Sequence, residues 1–171
     1  MILKTKTQKG FSLLELLLVV AVGAILILAG LAIYRNITAN TSVNDTSRMV
    51  NVLKQEVQRI YQGEASYAAL DNDLLVDTQV VPAKHLGGAD GITSPFKTDV
   101  TVEVNAGDAE TFDIGIDAVP AEACLKLGLE YTTNDADFVN VSIDGNDVNV
   151  PTVANINAVC GDGVDMIWTF N

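Results

Sequence analysis

Hydrophobic residues form one continuous run near the start of the chain. The run covers residues 16–33 and contains no charged side chain. As an α-helix it would rise about 27 Å, close to the ~30 Å hydrocarbon thickness of a bilayer. Because a helix satisfies its own backbone hydrogen bonds, the run is predicted to be a helix that can reside in a membrane.

A second hydrophobic pattern, spaced by three and four residues, follows the apolar run. Residues 35–47 turn polar, yet no Pro or Gly interrupts them. The apolar positions of this pattern are Val43, Thr46, Val50, Leu53, Val57, Ile60 and Tyr61. Such spacing is typical of one face of an amphipathic helix. We therefore predict one helix over residues 11–62, with Gly63 as its stop.

Beyond Gly63 the pattern becomes mixed and then alternating. Residues 64–93 are predicted to be a loop with short helical pieces. A short helix is predicted to begin at Pro120 and to end near Gly128. Alternation predicts strands at residues 99–104, 111–116, 138–143, 148–150 and 164–170. The predicted fold class is α+β, with one long helix and a small antiparallel sheet.

One acidic residue interrupts the apolar start. Glu15 is the only charged residue between Phe11 and Tyr34. A charge inside a membrane helix costs about 2.5–3.5 kcal/mol on insertion scales, so a partner is expected. Cleavage after Gly10 would create one, the α-amine of Phe11, presented by the same subunit or by a neighbour. The alternative is an unpaired acid that reaches the headgroup region.

The segment Lys9-Gly10-Phe11-Ser12-Leu13-Leu14-Glu15 resembles the class III signal of type IV prepilins. The resemblance implies that a prepilin peptidase cleaves after Gly10, that Phe11 becomes N-methylated, and that Glu15 acts in assembly. An ordinary secretory signal peptide is the alternative. Its apolar region is usually only 7–15 residues long and lacks an acid.

The resemblance also implies a fold. In type IV pilins the hydrophobic half of a long N-terminal helix protrudes, and its amphipathic half packs on a small antiparallel sheet. On this basis residues 1–10 are a leader, 11–34 a transmembrane and assembly helix, 35–62 its amphipathic continuation, and 63–171 a globular head. The head would contain a disulfide region over residues 124–160, an arrangement most like type IVb pilins, whereas the short leader and Phe11 are more typical of type IVa.

The implied function is a structural subunit of a type IV pilus, with roles in adhesion, aggregation, motility or DNA- and phage-related processes. Its partners would be copies of itself, a prepilin peptidase/N-methyltransferase, the inner-membrane assembly platform and minor pilins. The chain would cross the inner membrane once and then enter an extracellular pilus, or fimbrium, on a bacterial surface. The alternatives are a pseudopilin of a type II secretion system and a membrane-anchored binding module that does not polymerise.

Two cysteines, Cys124 and Cys160, fall in the part of the chain expected to be exported. In an oxidising compartment an even pair predicts a disulfide, worth roughly 3–4 kcal/mol for a loop of this length. A metal site is the alternative, but it needs more ligands, and the single histidine, His85, lies far away in sequence. We expect His85 to be a surface or subunit-contact residue.

The net charge and the sequence motifs limit the classes of function that we expect. The net charge is −12, and removal of the three leader lysines would leave seven basic against 22 acidic residues. Such a chain repels nucleic acid, so direct DNA binding is not expected. Asp-Gly turns at Asp144 and Asp162 favour turn chemistry over calcium. No nucleophile elbow, phosphate loop or catalytic carboxylate pair stands out, so we expect no enzyme, no cofactor and no metal.

Overall fold

The computed structural model describes residues 13–89 and 91–171, with side chains omitted for residues 32–39. The proposed leader, Gly10 and Phe11 therefore lie outside the described residues. The chain divides into two compact units, residues 1–38 and residues 39–171. The predicted α+β class is confirmed.

The first unit consists, in its described part, of the beginning of helix α1. This helix spans Leu13–Ile60, in agreement with the predicted long helix. Its segment Leu13–Leu31 has a mean hydropathy of 2.7 and is long and apolar enough to cross a membrane. Leu13 and Leu28 are 76% and 67% exposed, so the described residues leave the apolar side chains of this segment exposed.

In the second unit α1 presents one buried face. The predicted stripe is confirmed for Val43, Thr46, Val50, Leu53 and Val57, all of which are buried. Met49 lies on the same face and was not among the predicted positions. These side chains belong to the same hydrophobic core as the inward residues of the sheet, so this part of α1 is an integral part of the globular unit.

Five antiparallel strands form the sheet. They are β1 (Val100–Val104), β2 (Phe112–Val119), β3 (Phe138–Ile143), β4 (Asn146–Val148) and β5 (Val164–Phe170). Their spatial order is β1-β2-β5-β3-β4. The C-terminal strand therefore lies at the centre of the sheet, where β2 and β3 pair with its two edges.

The strand at residues 148–150 was predicted in the wrong place. β4 begins at Asn146, directly after a two-residue turn of Asp144 and Gly145. Both turn residues have positive φ, 51° and 77°. This combination is typical of the tight hairpin turn that matches strand twist, whereas the sequence suggested a four-residue turn.

Three short α-helices complete the second unit: α2 (Asn72–Asp77), α3 (Ala121–Gly128) and α4 (Val153–Val159). α3 follows Pro120, as predicted. α4 was not predicted, because Ile156 is its only buried residue and a single apolar position gives no helical period. Its N-terminus is capped by Thr152, whose hydroxyl oxygen accepts a hydrogen bond from the Asn155 amide.

Aromatic rings connect the end of α1 to the sheet. Tyr67 lies between Tyr61 and Phe112, with ring centroids 5.3 and 4.7 Å away, and Phe112 in turn contacts Phe170. Pairs of this kind contribute about 0.5–1.5 kcal/mol each beyond their buried area. They fix the end of the helix against strands β2 and β5.

Candidate assembly site

Glu15 lies in the first turn of α1 and is exposed. A carboxylate at this position interacts favourably with the positive end of the helix dipole. Among the residues that the structure describes, no basic side chain lies within ion-pair distance of Glu15. The position therefore leaves the carboxylate available to a partner supplied from elsewhere, whereas Gly10 and Phe11 lie outside the described range.

The apolar surface around Glu15 contains most of the exposed large hydrophobic residues of the described chain. Leucine, valine and isoleucine side chains from Leu13 to Leu31 are mostly 50–75% exposed. Removing one such side chain from water contributes about 1.5–3 kcal/mol. Contiguous exposed apolar surfaces are typical of regions that contact lipid or another protein.

The second predicted site, the cysteine pair, is present as a disulfide. Cys124 of α3 is bonded to Cys160, with their Cα atoms 5.7 Å apart and a sequence separation of 36. Cys124 is completely buried. Cys160 caps α4 through its amide, which donates to the Ile156 carbonyl oxygen. The disulfide thus joins α3 to the end of α4.

Close packing supports the same junction. A Cβ atom added to Gly128 at the end of α3 would lie 2.8 Å from Cγ2 of Ile156 and 3.5 Å from Cδ1 of Ile143. Ile156 and Ile143 are both fully buried. The small residue therefore allows α3 to approach α4 and the sheet closely, beside the covalent link.

Carboxylates at the acidic turn near the last strand accept hydrogen bonds from backbone amides. Asp162 accepts a hydrogen bond from the Ala121 amide at 3.3 Å, and Asp165 accepts one from Ala118 at 3.0 Å. Within the described residues, no three side chains of the His, Cys, Asp and Glu types cluster as metal ligands would. The turns of Asp144 and Asp162 have the local geometry expected of structural turns.

His85 was predicted to be a surface or subunit-contact residue; the surface prediction was wrong, because the residue is only 5% exposed. Its Nδ1 lies 3.1 Å from the carbonyl oxygen of Thr93. Burial lowers the pKa of His85, and this effect is partly opposed by the hydrogen bond to Thr93. The residue fastens the loop that follows the 3₁₀ turn at Ala83–His85.

An open cavity of about 560 Å³ lies between α2 and β1, and Asp71, Asp73 and Glu103 are among its lining residues. Asp71 is already engaged, since its carboxylate accepts a hydrogen bond from the Leu74 amide and caps α2. The lining contains neither a histidine nor a cysteine that could serve as a base or nucleophile.

Two family comparisons together cover most of the chain. Residues 5–31 match the prokaryotic N-terminal methylation motif, and residues 39–171 match the family described as PilS N terminal. The first match includes the segment around Glu15, and the second includes the disulfide and the whole sheet.

Two relatives with a known role match this chain over most of their length. The chain is 26% identical over 157 residues to the major structural subunit of bundle-forming pilus of Escherichia coli O127:H6 (strain E2348/69 / EPEC), covering 90% of this chain and 80% of that protein. The corresponding subunit of Escherichia coli O111:H- is 26% identical over 160 residues, covering 92% and 79%. Both relatives are structural subunits.

Solved structures show the same fold. TcpA, a type IV pilin from Vibrio cholerae El Tor biotype, superposes with a TM-score of 0.54 at 13% identity, over 77% of this chain and 99% of that one. A type IV b pilin from Salmonella typhi gives 0.53 at 16% identity, over 77% and 97%. The motif around Glu15, the PilS match and the shared fold agree, and the chain belongs to the type IV pilins.

Proposed function

We propose that this pilin is held in the inner membrane by the first part of α1 and is then polymerised into a surface filament. The observation that carries the proposal is the exposed apolar segment Leu13–Leu31, whose described residues include a single charge, at Glu15. Before assembly, lipid would cover this segment. In the filament, the same segments of neighbouring copies would cover one another.

The leader, residues 1–10, is removed in this proposal by a prepilin peptidase, and the new N-terminal Phe11 is methylated. The match of residues 5–31 to the methylation motif supports both steps. Each subunit would then carry a positive amine four residues before Glu15. In a packed bundle of low dielectric constant, the amine of one subunit and the Glu15 carboxylate of the next would attract strongly.

This pairing would set the register between helices. Apolar packing is non-directional and tolerates sliding, whereas a charge inside the bundle is costly unless its partner stands opposite. Because each subunit has one acid in this segment, only one axial offset between neighbouring helices places every carboxylate opposite an amine. Residues 11–34 would act as the assembly helix, residues 35–62 as its continuation into the head, and residues 63–171 as the outer surface.

The disulfide suits a head that remains outside the cell. It joins α3 to α4 covalently. Closing a loop of this length stabilises the folded head by roughly 3–4 kcal/mol on the chain-entropy estimate. Two of the proposed partners besides other copies act at the membrane: the peptidase/N-methyltransferase and the assembly platform. Minor pilins would share the same helix packing. The arrangement of the two cysteines favours the type IVb subclass for this chain.

Filaments sheared from cells that express the full-length chain provide the test. We expect Edman sequencing and intact mass to give an N-methylated Phe11 as the first residue of the filament protein. A Gly10→Val variant should keep its leader, remain in the membrane fraction and form no filaments. Recovery of the protein as a soluble monomer without the segment Leu13–Leu31, or as short fibres confined to the periplasm, would contradict the proposal.

A further inference from the structure

The second unit has only six basic residues, and the side chains of three of them already contact a partner within the unit. Lys54 pairs with Asp137 at 3.7 Å, and Arg59 pairs with Glu56, with Nε to Oε2 at 2.7 Å. Lys126 donates a hydrogen bond to the side-chain oxygen of Asn40.

The other three cations of this unit are Arg48, Lys84 and Lys97. In the described part of the chain none of the three has an ion-pair or side-chain hydrogen-bond partner. All three are exposed. In the described part of the second unit, the exposed cations without a partner are these three.

These three cations line two adjoining depressions. Lys84 and Lys97 line one, of about 240 Å³, and Arg48 and Lys84 line the other. Asp45, Lys84 and His85 belong to both, so the depressions form one surface. We call it the cationic groove; its polar residues are Ser42, Asp45, Arg48, Lys84, His85, Ser94 and Lys97. With His85 neutral, three positive charges face one negative charge.

The walls of the groove are held rigidly. The His85 amide donates to the Pro82 carbonyl at 2.8 Å, and the Thr93 amide donates to the His85 carbonyl at 2.7 Å. On the opposite side, the Lys97 amide donates to the Ser94 carbonyl at 2.9 Å. Ordered walls reduce the conformational entropy that is lost when a partner binds.

Lys97 also has an unusual backbone. Its φ is 69°, in the left-handed region that favours glycine. Non-glycine residues held there cost on the order of 1–3 kcal/mol, and such positions concentrate at binding sites. The Lys97 backbone closes the turn that begins at Ser94, and this turn sets where the side chain leaves the surface.

We propose that the cationic groove binds the acidic surface of a second copy of this chain in the filament. The inference rests on the proposed function, since it names a contact within the proposed polymer. Beyond Leu70 the chain has 18 acidic residues against three lysines, so most of the head of a neighbouring copy is negative. Charge complementarity of this kind steers association and fixes orientation.

The positive charge of the groove also determines which kind of contact between subunits it can make. Two grooves facing each other across a two-fold axis would bring cations against cations, so a symmetric dimer through this surface is disfavoured. The partner surface must be a different, acidic one. A contact between two different surfaces that does not close into a ring generates a helical filament.

A double variant, Lys84→Gln/Lys97→Gln, tests the contact in cells that express the full-length chain. Lys126→Gln, compared with the single variants Lys84→Gln and Lys97→Gln, is the control for the loss of one positive charge elsewhere on the head. We expect the double variant to give a filament yield lower by at least about fivefold, while its processed, disulfide-bonded form accumulates normally in the membrane. Its remaining filaments should fall apart at lower salt, because rim charges are screened by ions.

Zero-length carbodiimide cross-linking of wild-type filaments gives a second measurement. Cross-linked dimers should contain an amide between Lys84 or Lys97 and an Asp or Glu side chain. Wild-type yield and salt resistance in the double variant, together with dimers linked only through other lysines, would overturn the groove contact and leave the proposed function standing. Absence of filaments from the wild-type chain would overturn both.

Discussion

Cys124, in the middle of α3, is covalently bonded to Cys160, the residue that caps α4 and stands before the last strand. The bond closes a 36-residue separation that contains β3, β4 and α4. It therefore joins the two helices that flank this part of the sheet, and its removal should lower the stability of the whole globular unit.

Replacing both cysteines by serine should reduce the free energy of unfolding by about 3–4 kcal/mol, because the unfolded chain regains the entropy that the loop closure removed. Urea unfolding of the full-length chain in detergent, followed by circular dichroism, measures the difference. Reduction of the wild-type protein should give the same loss, whereas the double serine variant should not respond to a reductant. Equal stability with and without the bond would refute the entropic account.

Leu53→Ala should destabilise the second unit by about 2–5 kcal/mol, since Leu53 is completely buried between α1 and the sheet core. Its neighbour Val52 is 39% exposed and provides the control. Val52→Ala should change the unfolding free energy by no more than about 0.5 kcal/mol. A large effect of both substitutions would mean that the buried face of α1 is assigned incorrectly.

Gly128→Ala should destabilise the protein by about 1–3 kcal/mol, although alanine ordinarily favours a helix over glycine by ~1 kcal/mol. The reason is the Cγ2 methyl of Ile156, only 2.8 Å from the position of the new Cβ. Gly107→Ala is the control, because the exposed turn there places only the Asn105 side chain at 3.3 Å. Thermal unfolding of both variants checks the sign, and a stabilised Gly128→Ala protein would show that α3 can move away from α4.

Glu15→Gln should leave membrane insertion unchanged and abolish filament assembly, because the amide keeps the shape of the side chain but cannot pair with a positive amine. Cell fractionation measures insertion, and electron microscopy with sheared-fibre yield measures assembly. Leu16→Ala, at a neighbouring exposed position, should assemble. Normal fibre length and yield from Glu15→Gln would rule out the proposed ion pair.

The pKa of buried His85 lies below its ordinary value of about 6.5, so the unfolded chain binds the proton more readily than the folded one. The neutral His85 side chain therefore makes its full contribution to folding stability above pH 6.5. This contribution is lost as the pH falls from 6.5 through the lowered pKa. His85→Gln should lack this part of the pH dependence. Urea midpoints at pH 7.5 and pH 5 for both proteins provide the comparison, and parallel curves would contradict it.

The elements with a clear hydrophobic period were predictable from sequence. α1, the hairpin of β1 and β2, and β5 each have several regularly spaced buried residues, such as Val100 and Val102 on β1. α4 was missed because one buried side chain, Ile156, holds it in place. The start of β4 was misplaced because both Asp144 and Gly145 adopt positive φ, which shortens the turn.

Contacts between distant parts of the chain were not predictable in this way. Burial of His85 depends on the loop from Pro82 to Thr93 folding back on itself, which no local hydrophobic period indicates. The cationic groove joins α1 to residues about 40–50 positions later, so neither segment alone indicates it. Glu15 differs, since its local sequence motif was sufficient to single it out.

The position of β5 sets an order of events for biogenesis. β1 and β2 form one hairpin, β3 and β4 form another, and only residues 164–170 connect them. Until residues 164–170 are available, the two hairpins have no common strand, and their inward side chains share no complete core. In the proposed route to the cell surface, the head therefore folds only after these residues have crossed the membrane, and a stop codon placed before Val164 should leave a subunit that is degraded.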